Sequence, residues 1–245
     1  MTHRFFVPSH QISGPRVTIM GSDAKQIKNV LKLKEGDMLE VLDGSSKVFA
    51  VKINSVKSDE VLCFVTSSRS MKTEPAVKVT LIQSIAREAK MDMVIQKCTE
   101  LGVTKIVPVV SERTIIKLDQ EKKEKRLSRW QRIAKEAAEQ SSRGIVPEIE
   151  EIKDFAEALK QENGSDLKLI PWEMEEKTSI KTVLKENKKA KSLSLAIGPE
   201  GGLSSEEIKE AKAAGFIPVS LGKRILRTET AGIAVLSMIN YEFEM

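Results

Sequence analysis

From Pro75 onward, short apolar runs alternate with stretches whose apolar residues recur at helical spacing. That alternation restricts the chain to an α/β fold on a parallel sheet, because parallel neighbours need a crossover long enough to hold a helix. Residues 77–83, 105–110, 167–170, 193–197 and 217–221 read as the strands. After the first of them, Met91, Val94, Ile95, Cys98 and Leu101 fall on one helical face, and Gly102 can close that helix in the left-handed conformation. Later helices are predicted over 152–161, 179–188 and 204–214, the last opened by a capping box of Ser204 and Glu207 and stopped by Gly215. A terminal helix begins at Thr228. Its Ala231, Ile233, Ala234, Val235, Leu236, Met238 and Ile239 cover most of the circumference, which predicts burial on several sides.

The first 70 residues follow a different rule. Runs at 16–20, 38–42, 47–56 and 60–66 have strand composition, Asp43-Gly44 is a hairpin signal, and one short helix over 22–31 interrupts them. This pattern suits a small β-barrel. A stretch of small and polar residues at 67–75 reads as a linker, giving two domains, 1–70 and 75–245. With 245 residues, 40% of them hydrophobic, each domain can carry its own core.

Lys and Arg number 40 against 35 acidic residues, and the excess of +5 permits an anionic partner without identifying one. Between Glu121 and Arg143 eight basic side chains stand against four acidic ones, on a helix whose Trp130, Ile133, Ala134 and Ala137 turn inward. Such a helix is either a solvated face or an RNA contact. Cys63 and Cys98 form no C-x-x-C pattern, and His3 and His10 have no clustered carboxylate or cysteine partners, so neither a metal site nor a Ser-His-Asp hydrolase is indicated. No run reaches bilayer length and the first residues are too poor in apolar side chains for a signal peptide. A soluble protein of the reducing cytoplasm is the expectation.

Two glycine-bearing loops carry the chemistry: Gly198-Pro199-Glu200-Gly201-Gly202-Leu203 and Leu221-Gly222-Lys223-Arg224-Ile225-Leu226-Arg227-Thr228-Glu229-Thr230-Ala231, each following a strand-like run. Glycine lets a ligand approach the backbone closely. A phosphate-cradling loop would add a lysine after its last glycine, whereas here Glu200 stands inside the first loop and no lysine follows its glycines. A carboxylate repels a polyphosphate but suits a cationic or hydroxyl-rich ligand. An adenosine compound carrying a sulfonium therefore fits better than ATP or a dinucleotide. Glycines that only cap elements and turn the chain are the alternative reading.

Together these loops resemble the signatures of the SPOUT methyltransferases, and within them the family that methylates N3 of a uridine in 16S ribosomal RNA. Met1-Thr2-His3-Arg4-Phe5-Phe6-Val7 resembles that family's N-terminus, Gln96-Lys97-Cys98-Thr99-Glu100-Leu101-Gly102-Val103 its central helix, and Arg129-Trp130 through Glu139-Gln140-Ser141-Ser142-Arg143 the next one. The likeness spans nearly the whole chain. Three features depart from it: Cys98 stands where alanine is usual, Thr114 where serine is common, and residues 26–32 lack a histidine. The resemblance implies a C-terminal SPOUT domain with a deep trefoil knot, a PUA-like N-terminal barrel that helps hold RNA, a homodimer, and S-adenosyl-L-methionine as cofactor. It also implies a cofactor site formed by Gly198, Pro199, Glu200, Gly201, Leu221, Gly222, Ile225, Leu226, Thr230 and Ala231, with Trp172 and Glu173 as a third wall.

Methylating N3 of a uridine requires removal of its proton and a cation near the developing negative oxygens. Arg227 is the candidate cation and Glu229, or Glu200, the candidate partner for the proton; a helix cap or a bond to loop amides is the alternative for both glutamates. Arg4, Arg16, Lys28 and Lys32 in the barrel, and Arg143 after the basic helix, are candidates for RNA contact, Arg143 also for bracing the site across a dimer. Two rival functions stay open: a sister SPOUT enzyme acting on another RNA nucleotide, and a non-catalytic RNA-binding or ribosome-assembly module.

Overall fold

The computed structural model describes residues 3–115, 119–162 and 164–244, so Met1 and Thr2 of the N-terminal motif lie outside the described residues. Two units divide the chain, one built from Met1–Glu74 with Ala138–Val146 and the other from Pro75–Ala137 with Pro147–Met245.

In the first unit, β1 (Arg4–Phe6), β2 (Ile12–Ser13), β3 (Arg16–Met20), β4 (Met38–Leu42), β5 (Lys47–Val56) and β6 (Glu60–Ser70) form one sheet in the order β1-β4-β5-β6-β3-β2. Alternate side chains of each strand point to the same face, so Val17, Ile19, Leu39, Val41, Val51, Ile53, Val61 and Cys63 meet in one buried cluster. The expected helix divides into α1 (Gly21–Lys25) and a single π turn (Gln26–Val30), which add Ala24 and Ile27 to that core. Register slips between Ala50 and Val51, and again between Ile53 and Ser55, bend the long β5–β6 hairpin.

The ladders of the small β-barrel expected from the sequence do not close. Three-residue β1 pairs with β4 and two-residue β2 with β3, and among the described residues neither pairs with the other, leaving a half-barrel with two short edges. Part of the expected linker is strand as well, since 67–70 continue β6 opposite 47–50. The segment Ala138–Val146 packs into this unit rather than with the residues that flank it. Ala138 sits against Phe6, Leu42 and Val48, and the Phe6 amide donates to Glu139 Oε1 at 2.9 Å.

The second unit carries β7 (Lys78–Ser84), α2 (Glu88–Glu100), β8 (Lys105–Val110), α3 (Gln120–Gln140, whose last turn enters the first unit), β9 (Glu148–Ile149), β10 (Lys153–Asp154), α4 (Phe155–Gln161), β11 (Leu167–Pro171), α5 (Ile180–Glu186), β12 (Ser192–Ile197), α6 (Ser205–Ala213), β13 (Ile217–Val219) and α7 (Thr228–Phe243). All its ladders are parallel, in the order β10-β8-β7-β12-β11-β13 with β9 beside β8. Continuous burial of Leu193–Ile197 is what a central parallel strand covered on both faces requires. Where a helix was expected from residue 152, Lys153 and Asp154 instead pair with Val109 and Val110, and Asp154 caps α4 by accepting from the Ala156 amide at 2.9 Å. Gly102 and Gly215 end α2 and α6 at φ 89° and 85°.

The sheet reverses its direction of growth at β7, with β8 on one side and β12 on the other. Open α/β sheets bind ligands outside the strand carboxyl ends at such a switch point. The residues that follow β7, β11, β12 and β13 are therefore the place to look for a site.

Candidate functional site

A cavity of about 480 Å³ lies there, within the range of small-molecule sites. One wall is the loop after β12. Gly198 turns so tightly that a Cβ on it would lie 2.8 Å from Cγ of Leu203, and Gly202, at φ 70°, donates its amide to the Pro199 carbonyl at 3.0 Å. An Arg113 guanidinium N–H donates to the Gly201 carbonyl at 3.1 Å and braces the loop from outside. Behind it, Ser204 and Glu207 form the expected capping box, and the second oxygen of Glu207 takes the Glu112 amide at 2.8 Å.

The opposite wall is the chain from Ser220 to Thr228, with Gly222 at φ 110° where the path reverses. Leu221, Ile225 and Leu226 line it, Ile225 with 84% of its surface exposed. A third wall comes from Pro171, Trp172 and Glu173, held by the Trp172 amide on the Val219 carbonyl at 3.1 Å. Ala231 reaches the floor from α7. The two glycine loops are tied beneath the cavity: Thr228 Oγ1 donates to the Gly198 carbonyl at 2.6 Å and accepts from Nε2 of buried Gln83 at 3.0 Å.

Charged side chains meet where α2 approaches the loops. Nζ of Lys90, projecting from α2, lies 3.3 Å from Glu200 Oε1 and 3.4 Å from Glu229 Oε2. Burial disfavours ionisation of Glu200, but the amides of Glu200 itself and Arg87 and the Lys90 ammonium outweigh it and hold the carboxyl below its ordinary range. Glu229 Oε2 is buried and has the Lys90 ion pair but no aligned hydrogen bond. Arg227 stands at the N-cap of α7 and lines the cavity with its side chain exposed.

Among residues singled out from the sequence, Trp172, Glu173, Gly198, Pro199, Glu200, Gly201, Leu221, Gly222, Ile225, Leu226, Arg227 and Ala231 come together on this cavity. Glu229 joins them through Lys90, whereas Thr230 is exposed on the first turn of α7 and does not line it. Lys90 was not foreseen, because it becomes a neighbour of the loops only through the strand order, whereas Ser220 directly precedes the second loop and Thr228 lies within it.

The proposed RNA contacts fare unevenly. Arg16, Lys28 and Lys32 are exposed, and Arg16 lies over the Phe64 ring with its Cζ 6.0 Å from the centroid. Arg4 is committed to Glu40 at 2.6 Å. Arg143 is the correction: only 3% exposed, it pairs with Glu74 at 2.6 Å and presents no guanidinium to a surface. Among the described residues, no group of three or more His, Cys, Asp or Glu side chains is arranged to hold a metal ion, and no helix is long and apolar enough to cross a membrane.

Residues 73–240 match the RNA methyltransferase domain family. Over 235 residues the chain is 33% identical to ribosomal RNA small subunit methyltransferase E of Bacillus subtilis, covering 94% of this chain and 92% of that one. The chain belongs to the ribosomal RNA small subunit methyltransferase E family. The family protein of Synechocystis is 36% identical over 241 residues, with 98% of this chain and 78% of that one covered. Among solved structures, the family member of Neisseria gonorrhoeae bound to S-adenosyl methionine superposes with a TM-score of 0.90 at 32% identity, covering 99% of this chain and 98% of that one. A Legionella pneumophila protein in complex with bound SAM gives a TM-score of 0.91 at 34% identity, with 98% of both chains covered. Methyltransferase membership agrees with the loop signatures and with a site whose apolar walls and backbone amides suit a nucleoside.

Proposed function

We propose that the chain transfers a methyl group from S-adenosylmethionine to N3 of a uridine in 16S ribosomal RNA, in the decoding region of the small subunit. The observation that carries this reading is the cavity between the two glycine loops, with Arg227 lining it at the N-cap of α7 and Glu229 on the first turn behind, paired with Lys90. The cavity fits the cofactor: Trp172, Leu221, Leu226 and Ala231 offer apolar surface for an adenine, and the space at Gly222 is open, with no atom within 4 Å of where a Cβ would stand. Glu173 and Glu200 are the carboxylates of the lining, Glu200 already paired with Lys90. When bound, S-adenosylmethionine supplies an electrophilic methyl group.

The chain's own residues then have defined tasks. Arg227 addresses a uracil carbonyl or phosphate with its planar fork and stabilises negative charge on the base. Glu229 takes the N3 proton. A carboxylate is a weak base toward uracil, so its action depends on Arg227 stabilising the anion as it forms. Arg16, Lys28 and Lys32 of the first unit position RNA through phosphate contacts, and selecting one uridine requires drawing its base out of the stack.

The same reading includes a homodimer working in the cytoplasm, a PUA-like role for the half-barrel, and a trefoil knot in the second unit. Insertion of late β12 between β7 and β11 is the feature that supports a threaded path. Calorimetry with S-adenosylmethionine tests the cofactor: the parent should bind, and Gly201→Val and Leu226→Asp should not. Incubation with small ribosomal subunits and labelled cofactor, followed by mapping of the modified base, tests the target. A label on another nucleotide would identify a sister enzyme, and no cofactor binding would leave a structural RNA-binding module.

A further inference from the structure

The sheet of the first unit has a second face. Val17, Leu39, Ile53 and Cys63 point into the core, so their strand neighbours Arg16, Met38, Lys52 and Phe64 point away from it. Register sets these four side by side across β4, β5, β6 and β3, since Met38 pairs with Lys52, Lys52 with Phe64, and Phe64 with Arg16. All four are exposed, Met38 at 46% and Phe64 at 37%. An exposed apolar side chain alone means little, but here a phenyl ring stands between two cations, with Arg16 Cζ over it at 6.0 Å from the centroid. The carboxylates at outward positions of these strands are already neutralised, Glu40 by Arg4 and Arg69 and Glu60 by Lys57. Arg16 and Lys52 therefore give this face a positive sign.

A ring flanked by cations on an open sheet matches what an unpaired nucleobase needs, a flat apolar surface to stack on and charge beside it for the adjoining phosphates. Paired RNA presents no free base to such a surface. We infer that Met38, Lys52, Phe64 and Arg16 form a stacking platform for an unpaired base of the RNA substrate. The Phe64 ring and the Arg16 guanidinium take the base, Lys52 takes a neighbouring phosphate, and Met38 extends the apolar surface by one strand. The platform rests on the RNA reading above, though not on N3 as the target atom. It goes beyond phosphate contact, because stacking distinguishes single-stranded from paired RNA.

The test is binding of the whole chain to a short labelled oligoadenylate, followed by fluorescence anisotropy over a range of salt concentrations, with the same strand annealed to oligouridylate as the paired control. Phe64→Leu keeps an apolar side chain but removes the ring, and should weaken single-strand binding about tenfold while changing duplex binding little. Phe64→Trp should bind as the parent does, and its added indole fluorescence should be quenched by the strand. Lys52→Ala should lower the salt slope of binding by about 0.7, the share of one phosphate. Arg16→Lys keeps the charge and loses the planar guanidinium, so it should weaken binding with the slope unchanged. A general loss of packing would weaken single-strand and duplex binding together. If Phe64→Leu binds the single strand as tightly as the parent, or loses both forms equally, the platform is overturned. Should Phe64→Leu fail to fold, the quenching in Phe64→Trp decides, and its absence overturns the platform. A parent without measurable affinity for oligoadenylate overturns it as well, whereas the proposed function stands or falls separately on S-adenosylmethionine binding and on mapping the methylated base.

Discussion

Thr228 donates its hydroxyl to the Gly198 carbonyl at 2.6 Å, and that bond joins the first residue of α7 to the end of β12. Because the same hydroxyl accepts from Gln83, one side chain ties three segments under the cavity. Thr228→Val keeps the shape and strands two buried partners, which costs roughly 1–3 kcal/mol. We expect a lower urea midpoint together with weaker S-adenosylmethionine binding by calorimetry, and recovery of both in Thr228→Ser.

Gly198 is more constrained than its neighbours across the cavity. An added methyl would meet the buried branch point of Leu203, whereas at Gly222 it meets open space and only the backbone, at φ 110°, is strained. Gly198→Ala should therefore weaken cofactor binding by about tenfold, close to 1.4 kcal/mol. Gly222→Ala should lower stability through strain of about 1–3 kcal/mol without that steric clash. Equal binding by Gly198→Ala and the parent would show that the loop yields more easily than its packing indicates.

Glu40 of the first unit predicts how the protein responds to acid. Burial opposes its ionisation, yet the guanidinium groups of Arg69 and Arg4 outweigh it and hold the carboxyl below its ordinary value of 4.5. Depression in the folded state means that the unfolded chain binds the proton more readily. The stabilisation is thus full above pH 4.5 and is lost as pH falls through the lower folded value. Glu150 and Glu200 shift in the same direction. Melting temperature should fall steeply below that pH, and Glu40→Gln should flatten the slope.

Arg143 is buried in an ion pair with Glu74, which predicts a role in stability. Its partner Glu74 also accepts the amides of Gly144 at 2.9 Å and Ile145 at 3.2 Å, so one carboxylate organises the segment after α3. Arg143→Met leaves that buried arrangement without its cation and should destabilise the protein by about 3 kcal/mol in urea unfolding. A stable variant that instead lost affinity for small ribosomal subunits would restore the surface role.

Both cysteines are buried, and burial pushes each thiol up to about 12. Neither should react with a thiol reagent at neutral pH until the chain unfolds. Reaction of both in denaturant but not in buffer is the expected outcome.

What could be read from residues alone was local. The Ser204–Glu207 box, the glycines after β12 and β13, and the helical face of Met91, Val94, Ile95 and Cys98 each depend on neighbours a few positions away. Lys90 escaped notice because its meeting with Glu200 and Glu229 requires β7 and β12 to lie side by side. Arg143 was misplaced for a similar reason: a charge after a basic helix shows no partner, and Glu74 is far away in the chain. Ala137 and Ala138 share one helical stripe, yet the two units divide between them, which periodicity along a single helix does not reveal. Closure of the barrel depended on whether β1 and β2 could meet, and strands so short carry no sequence signal of it.

The strand order also has a consequence in time. A ribosome releases the chain from its first residue to its last, so the half-barrel strands and Lys90 emerge well before Leu226, Arg227 and Glu229. A nascent chain halted before Ser220 would present β12 and its glycine loop without the opposing wall, and competence for the cofactor would arrive only with the later segment.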